Sequence, residues 1–219
     1  VDDTLLATPT ATIQSQTATV AVDGAHPNYT AKYTMNGTDT EGAVTFTIDF
    51  NDEAGNAATQ VTAVTDATSV TYDRTAPAAT AVTIASDNAN TSIAKSGDVI
   101  TVSFTVNDDM LATPTATIDS IAATVSVDGA HPNYKATHTA TGVTTEGVVA
   151  FTLDFTDEAG NAATQVTAVT DISSVTVDRT APTATAVSIA SDNGTTTVAK
   201  NGDEITVSFT VDDLLTGSP

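Results

Sequence analysis

Cysteine and tryptophan are missing from the 219 residues, and basic side chains are nearly so: six lysines and arginines face 27 aspartates and glutamates, a net charge of −21. Without cysteine there is no disulfide framework, so the parts of this chain must be held by something other than covalent cross-links. The shortage of positive charge excludes a nucleic-acid backbone or an anionic membrane surface as the natural partner. No apolar run approaches the length of a bilayer-spanning helix, so no membrane insertion is expected of this segment, and no stretch has the pattern of a secretory leader. The first residue falls inside a repeat, which puts any targeting segment outside these residues. Aromatics are only 5% of the chain, so its cores must be built mainly from Val, Ile, Leu and Ala. Catalytic constellations are lacking too, with no nucleophile elbow, phosphate loop or cysteine nucleophile, and an enzyme is not expected. Of the histidines, His26 and His131 recur in one turn motif and read as structural, while His138 lies on a strand where the other copy has Tyr33.

What the chain has in abundance is threonine and valine, β-branched residues that favour strands, and a long internal repeat. VDGAHPNY occupies 22–29 and 127–134, DEAGNAATQVTAVTD occupies 52–66 and 157–171, and DRTAP occupies 73–77 and 178–182, each pair 105 residues apart. At that offset the chain aligns to itself without gaps at about 70% identity. A period of this size is one sandwich domain rather than a solenoid turn. DRTAP, a proline after a short polar run, reads as a linker entering a new module. Residues 74–178 are then one complete module, 1–73 the later part of a preceding one lacking its first two strands, and 179–219 the first strands of a following one.

Period-two alternation places strands in the complete module at Ala81–Ala85, Val99–Val106, Thr115–Ile118, Ala123–Val127, Tyr134–Thr139, Val148–Phe155, Ala163–Thr170 and Ser173–Val177. In the second of these, Ile100, Val102, Phe104 and Val106 point one way and the threonines and serine the other. In the sixth, Val149, Phe151, Leu153 and Phe155 form the inward row. Turn chemistry falls between them at Asp128-Gly129, Thr141-Gly142 and Gly160-Asn161. Short strands at this spacing with no helical periodicity predict an all-β chain of tandem immunoglobulin-like Greek-key β-sandwiches.

The succession Thr75-Ala76-Pro77, Asp87-Asn88, Gly97-Asp98 before Thr101–Thr105, Pro114–Ile118, Glu146-Gly147 and Asp157–Asn161 resembles the bacterial immunoglobulin-like repeats of giant surface adhesins. It is similar to the extender regions of calcium-dependent adhesins exported by type I secretion. The resemblance spans the chain and implies a structural extender on the extracellular bacterial surface. There, modules stack end to end with neighbours of the same or an identical chain, and Ca2+ between modules stiffens the array.

Such a fold would bring the linker carboxylate Asp73 to the pole that carries Asp108, Asp109, Asp157, Glu158 and Asn161. Asp178 and Asp213 repeat the linker and loop positions downstream, and Asp3, Asp52, Glu53 and Asn56 repeat the loop positions upstream. Asp87 and Asp98, with Asp192 and Asp203 in the next copy, would lie at the opposite pole. Calcium takes six to eight oxygens from carboxylates, carbonyls and water, and a carboxylate set without His or Cys favours it over zinc or copper. The run Asp49–Glu53 begins like an EF-hand loop, but its glycine is one place late and position twelve is Gln60, so it is not one.

The partial modules carry a separate expectation. Val44, Phe46, Ile48 and Phe50 would be exposed without two covering strands, and a strand pair within 179–213 could not bury Ile205, Val207 and Phe209 by itself. Two readings fit: the residues are two repeat lengths of a continuous fibre, or separate chains complete each other head to tail by strand complementation. Either gives an end-to-end filament with a module repeat of about 40–50 Å.

Overall fold

The computed structural model describes residues 5, 7–24 and 27–213. These residues contain strands, turns and bends and no helix. The first copy supplies β1 (Thr10–Ile13), β2 (Gln16–Thr17), β3 (Thr19–Val22), β4 (Tyr29–Lys32), β5 (Gly42–Ala43), β6 (Phe46–Asp49) and β7 (Thr71–Tyr72). The middle copy supplies β8 (Ala79–Ser86), β9 (Ile93–Ala94), β10 (Val99–Val106), β11 (Thr115–Ile118), β12 (Ile121–Ala122), β13 (Thr124–Val127), β14 (Asn133–Thr139), β15 (Gly147–Val148), β16 (Phe151–Asp154) and β17 (Thr176–Val177). Beyond it lie β18 (Ala184–Ser191) and β19 (Ile205–Val211).

In the middle copy these make a four-stranded sheet β13-β14-β10-β8, a three-stranded sheet β12-β11-β16 and a short sheet β15-β17-β9. The ladders β11 with β12, β11 with β16, β13 with β14 and β15 with β17 are antiparallel, and β17 with β9 is parallel. The first two sheets meet through their side chains. The Phe104 ring, on β10, stacks on Phe155 just beyond β16 with centroids 6.5 Å apart, and on Tyr134 of β14 at 5.6 Å. This is the sandwich-like arrangement that the alternating rows demand.

The chain forms two compact units, Val1–Ile84 with Thr101–His138 and Ala150–Ser173, and Ala85–Ile100 with Thr139–Val149 and Ser174–Pro219. In the first, Val82, Ile84, Val102, Phe104, Val106, Ile118, Tyr134, Phe151, Leu153 and Phe155 form the core. The second buries Ala94, Ile100, Ala140, Val149, Val175 and Val177. Both inward rows read from the sequence are buried.

Three expectations need correction. Ala163–Thr170 is not a strand. Ala163 N–H bonds Phe155 O, but the next pairing is Val166 with Leu153, so three residues on one side oppose two on the other and the ladder cannot propagate. The same offset recurs at Ala58 and Val61 against Phe50 and Ile48. The stretch Val148–Phe155 is also not continuous: β15 and β16 are separate because Val149 N–H bonds Val175 O while β16 pairs with β11. Finally, β11 and β12 form a tight hairpin at Asp119-Ser120, with φ of 53° and 62°, where no turn was read. Gln14-Ser15 does the same in the first copy, at 50° and 60°. Positive φ at both central residues is the turn geometry that matches strand twist.

The outer copies contain less. The equivalents of β13-β14 are the two-stranded sheet β3-β4, and the equivalents of β10-β8 are the two-stranded sheet β19-β18.

Candidate metal centre

The linker begins where β7 ends. Asp73 lies there half-buried, and its backbone oxygen accepts a bond from Asn161 Nδ2 at 3.3 Å. The turn that offers Asn161 is built by its own aspartate. Asn161 N–H and Nδ2 donate to the two carboxylate oxygens of Asp157 at 2.7 and 2.9 Å, and Gly160 N–H closes on Asp157 O at 3.2 Å. Gly160 has a φ of 97°, a left-handed conformation that side-chain-bearing residues rarely adopt, which is why the DEAGN turn needs glycine there.

Asp157 is only 1% exposed. Burial pushes its carboxyl toward the neutral form, but the side-chain and backbone donors of Asn161 outweigh that and hold its pKa below the ordinary value. A buried carboxylate kept ionised is a group prepared to meet positive charge.

Asp108 comes from the loop after β10. It is half-buried, and its carboxylate accepts Asp109 N–H at 2.8 Å. That loop is tied to the Asp157 turn by Glu158 N–H to Asp109 O at 3.0 Å and by a bridge between Met110 and Asp157. One carboxylate oxygen each from Asp73, Asp108 and Asp157 lie within 4.8 Å of one another, the one such group among the described residues. Two oxygens that each sit about 2.4 Å from a shared calcium ion can be at most about 4.8 Å apart, so the spacing suits that ion's radius. The donor set is all oxygen, with carbonyls nearby, which suits a hard cation.

The other residues of the expected cluster sit differently. Asp109 is exposed and lies 3.7 Å from His131 Nδ1. Glu158 is exposed, and Asn161 holds Asp157 rather than joining the carboxylate trio. In the first copy Asn56 clasps a half-buried Asp52 just as Asn161 clasps Asp157, at 2.7 and 2.8 Å, with Glu53 exposed. Asp3 lies outside the described residues. Asp178 is exposed and accepts Thr180 N–H, and Asp213 is exposed.

Asp87, Asp98, Asp192 and Asp203 serve their own loops. Asp87 accepts Val99 N–H and Asp192 accepts Glu204 N–H. Asp98 takes Asn88 Nδ2, Lys95 N–H and the Lys95 ammonium, each within 2.9 Å, and Asn88 and Lys95 together draw its pKa down to about 2. Asp203 repeats this with Asn193 and Lys200 N–H. At Asp98 the Lys95 ammonium already supplies the positive charge that a cation would bring.

A second arrangement was not read from the sequence. Glu41 Oε1 accepts Arg74 N–H and the Thr75 hydroxyl, both at 2.8 Å, and Arg74 Nη1 reaches Gly37 O. In the next copy Glu146 takes Arg179 N–H and the Thr180 hydroxyl at 3.0 and 3.2 Å, with Arg179 Nη1 on Gly142 O at 2.9 Å. The linker's Arg-Thr is therefore clamped by the glutamate of the Glu-Gly pair. The recurrence of EG and DRT at a fixed separation was the available signal.

No protein-family model matches this sequence, and no curated protein matches it.

Proposed function

We propose that the chain is a structural extender segment of a bacterial cell-surface adhesin or extracellular fibre. In this reading it is a run of immunoglobulin-like sandwiches whose junctions are stiffened by Ca2+. The observation that carries it is the convergence of Asp73, Asp108 and Asp157 from a linker and two loops within 4.8 Å. Three carboxylates so placed repel one another, and a cation that relieves this repulsion binds the ordered linker and not the disordered one. The double hold on the linker, Glu41 on Arg74 and Asn161 on Asp73, supports the same role, because a spacer needs its joints fixed more than its faces decorated.

The work of such a segment is distance and stiffness, and it requires no catalytic group. Calcium is expected to raise the melting temperature of the chain over chelator, by a margin set by ion concentration relative to Kd, about 2.7 kcal/mol at a hundredfold excess over Kd. Asp108→Asn and Asp157→Asn are each expected to abolish that difference. Identical melting curves in chelator and in excess calcium would remove the metal from the reading.

A further inference from the structure

Asparagine precedes glycine three times in the chain, at Asn36-Gly37, Asn193-Gly194 and Asn201-Gly202. The pair has a chemistry of its own, because a glycine without Cβ leaves its amide nitrogen unhindered beside a thermolabile carboxamide. The three pairs sit in different surroundings. Asn36 is tied at both ends of its amide: Nδ2 donates to Tyr33 Oη, and Oδ1 accepts Thr38 N–H and the Thr38 hydroxyl at 2.9 and 2.7 Å. Asn193 is tied likewise, with Nδ2 on Asp203 Oδ2 at 2.7 Å and Oδ1 accepting Thr195 N–H at 3.1 Å. Asn201 is exposed, and among the described residues its carboxamide has no partner.

Asn201 lies in a turn closed by Asp203 N–H on Lys200 O at 3.2 Å, with Gly202 at a φ of 100°. The exposure belongs to the turn itself. The complete middle copy builds the same turn, with Asp98 N–H on Lys95 O at 3.2 Å and Gly97 at 99°, and Ser96, which stands at the asparagine's place, is exposed there too.

We propose that Asn201 is a site of spontaneous deamidation. The Gly202 nitrogen attacks Asn201 Cγ, and the carboxamide nitrogen leaves as ammonia with the proton that the attacking amide gives up. One water molecule then opens the five-membered imide. Opening at one carbonyl gives aspartate, and at the other isoaspartate, in which the main chain runs through the former side chain. Either product adds a negative charge to a loop that already holds Asp192, Asp203 and Glu204, where Asp192 accepts Glu204 N–H at 3.0 Å. Isoaspartate also lengthens the main chain inside the turn, between Lys200 N–H, which donates to Asp203 Oδ2 at 2.8 Å, and Asp203 N–H, which closes on Lys200 O. Ser96 has no carboxamide to lose, so the middle copy keeps its turn while the next one changes. At Asn193 the product itself is opposed, because a carboxylate would replace the amide that now lies 2.7 Å from Asp203 Oδ2.

Peptide mapping by mass spectrometry tests this on the full 219-residue chain, incubated folded in mildly alkaline buffer and in parallel in guanidinium chloride. In denaturant the three asparagines are expected to convert at comparable rates, since only the shared dipeptide remains. In the folded chain, conversion at 201 is expected to exceed that at 36 and 193 by about tenfold or more, because those two carboxamides react only after their hydrogen bonds open. Asn201→Ser copies the middle copy's turn and is expected to remove the early conversion, leaving the slow ones at 36 and 193 as they were. Conversion at 36 or 193 as fast as at 201 in the folded chain, or protection of 201 equal to theirs, would overturn the proposal.

Discussion

β8 with β10 and β18 with β19 are nearly the same peptide twice. ATAVTIAS becomes ATAVSIAS, and VITVSFTV becomes EITVSFTV. Yet Phe104 is 2% exposed and Phe209 is 46%, and Val82 is 0% exposed where Val187 is 62%. The alternating pattern specifies which face of a strand is meant for a core. It does not supply the core, which comes from Tyr134 beside it in the same sheet and from Leu153 and Phe155 opposite. Burial here depends on the partner sheet, and the hairpin retains its pairing without that partner: β18 and β19 remain an antiparallel ladder with one irregularity between Thr185 and Ser188.

The largest way to break this comparison is to truncate the same ring in both places. Phe104→Ala is expected to cost about 3–5 kcal/mol, as for a buried phenylalanine, while Phe209→Ala in dilute chain changes stability by less than about 0.5 kcal/mol. Urea unfolding of the two variants at low concentration measures the gap, and equal losses would mean that Phe209 already packs as Phe104 does.

Next in size is the joint. Asp157→Asn is expected to cancel the calcium-induced rise in melting temperature, about 2.7 kcal/mol at a hundredfold excess of ion over Kd, and Asp52→Asn to preserve it in dilute chain. Calorimetry with and without chelator decides between the two.

Smaller again is the glutamate clamp. Glu146→Ala removes two acceptor contacts from Arg179 and Thr180 and is expected to cost about 1 kcal/mol. Because Glu146 is fixed in the middle copy and Arg179 leads to the exposed hairpin, the loss should show as faster amide exchange at 179–181. Unchanged exchange would leave the clamp without a role in linker order.

The smallest effect is one of pH. Asp98 has its pKa lowered from 3.8 to about 2, so its contribution is complete above 3.8 and is lost as pH falls through that window. Asp98→Asn should flatten the acid side of the stability profile between those values. Asp203 in the hairpin is lowered in the same direction, by Lys200 N–H and Asn193.

Much of this was legible beforehand. β10 and β11 run between the residues at which period-two alternation places them, and both inward rows are buried. The parts that were not legible fail for identifiable reasons. The hairpins at Asp119-Ser120 and Gln14-Ser15 lack the Gly that advertises positive φ, so the turn is imposed by the pairing of β11 with β12 and of β1 with β2. The segment 163–170 alternates like a strand, but an extra residue between Ala163 and Val166 breaks its ladder, and composition does not record register. Of the candidate ligands, Asp73, Asp108 and Asp157 converge because they come from a linker and two loops. Asp98 and Asp203 instead find donors three residues away in Lys95 and Lys200, a local solution hidden within an acidic count. The role of Glu41 is not visible in local sequence because its partner lies 33 residues downstream.

The two-sided hold on the linker has a mechanical consequence. Tension applied to the chain must pass through Asp73 and Arg74, and these are gripped from behind by Glu41 and from ahead by Asn161. In the proposed extender, the peptide between these two holds can straighten under tension only after one of those hydrogen bonds has broken.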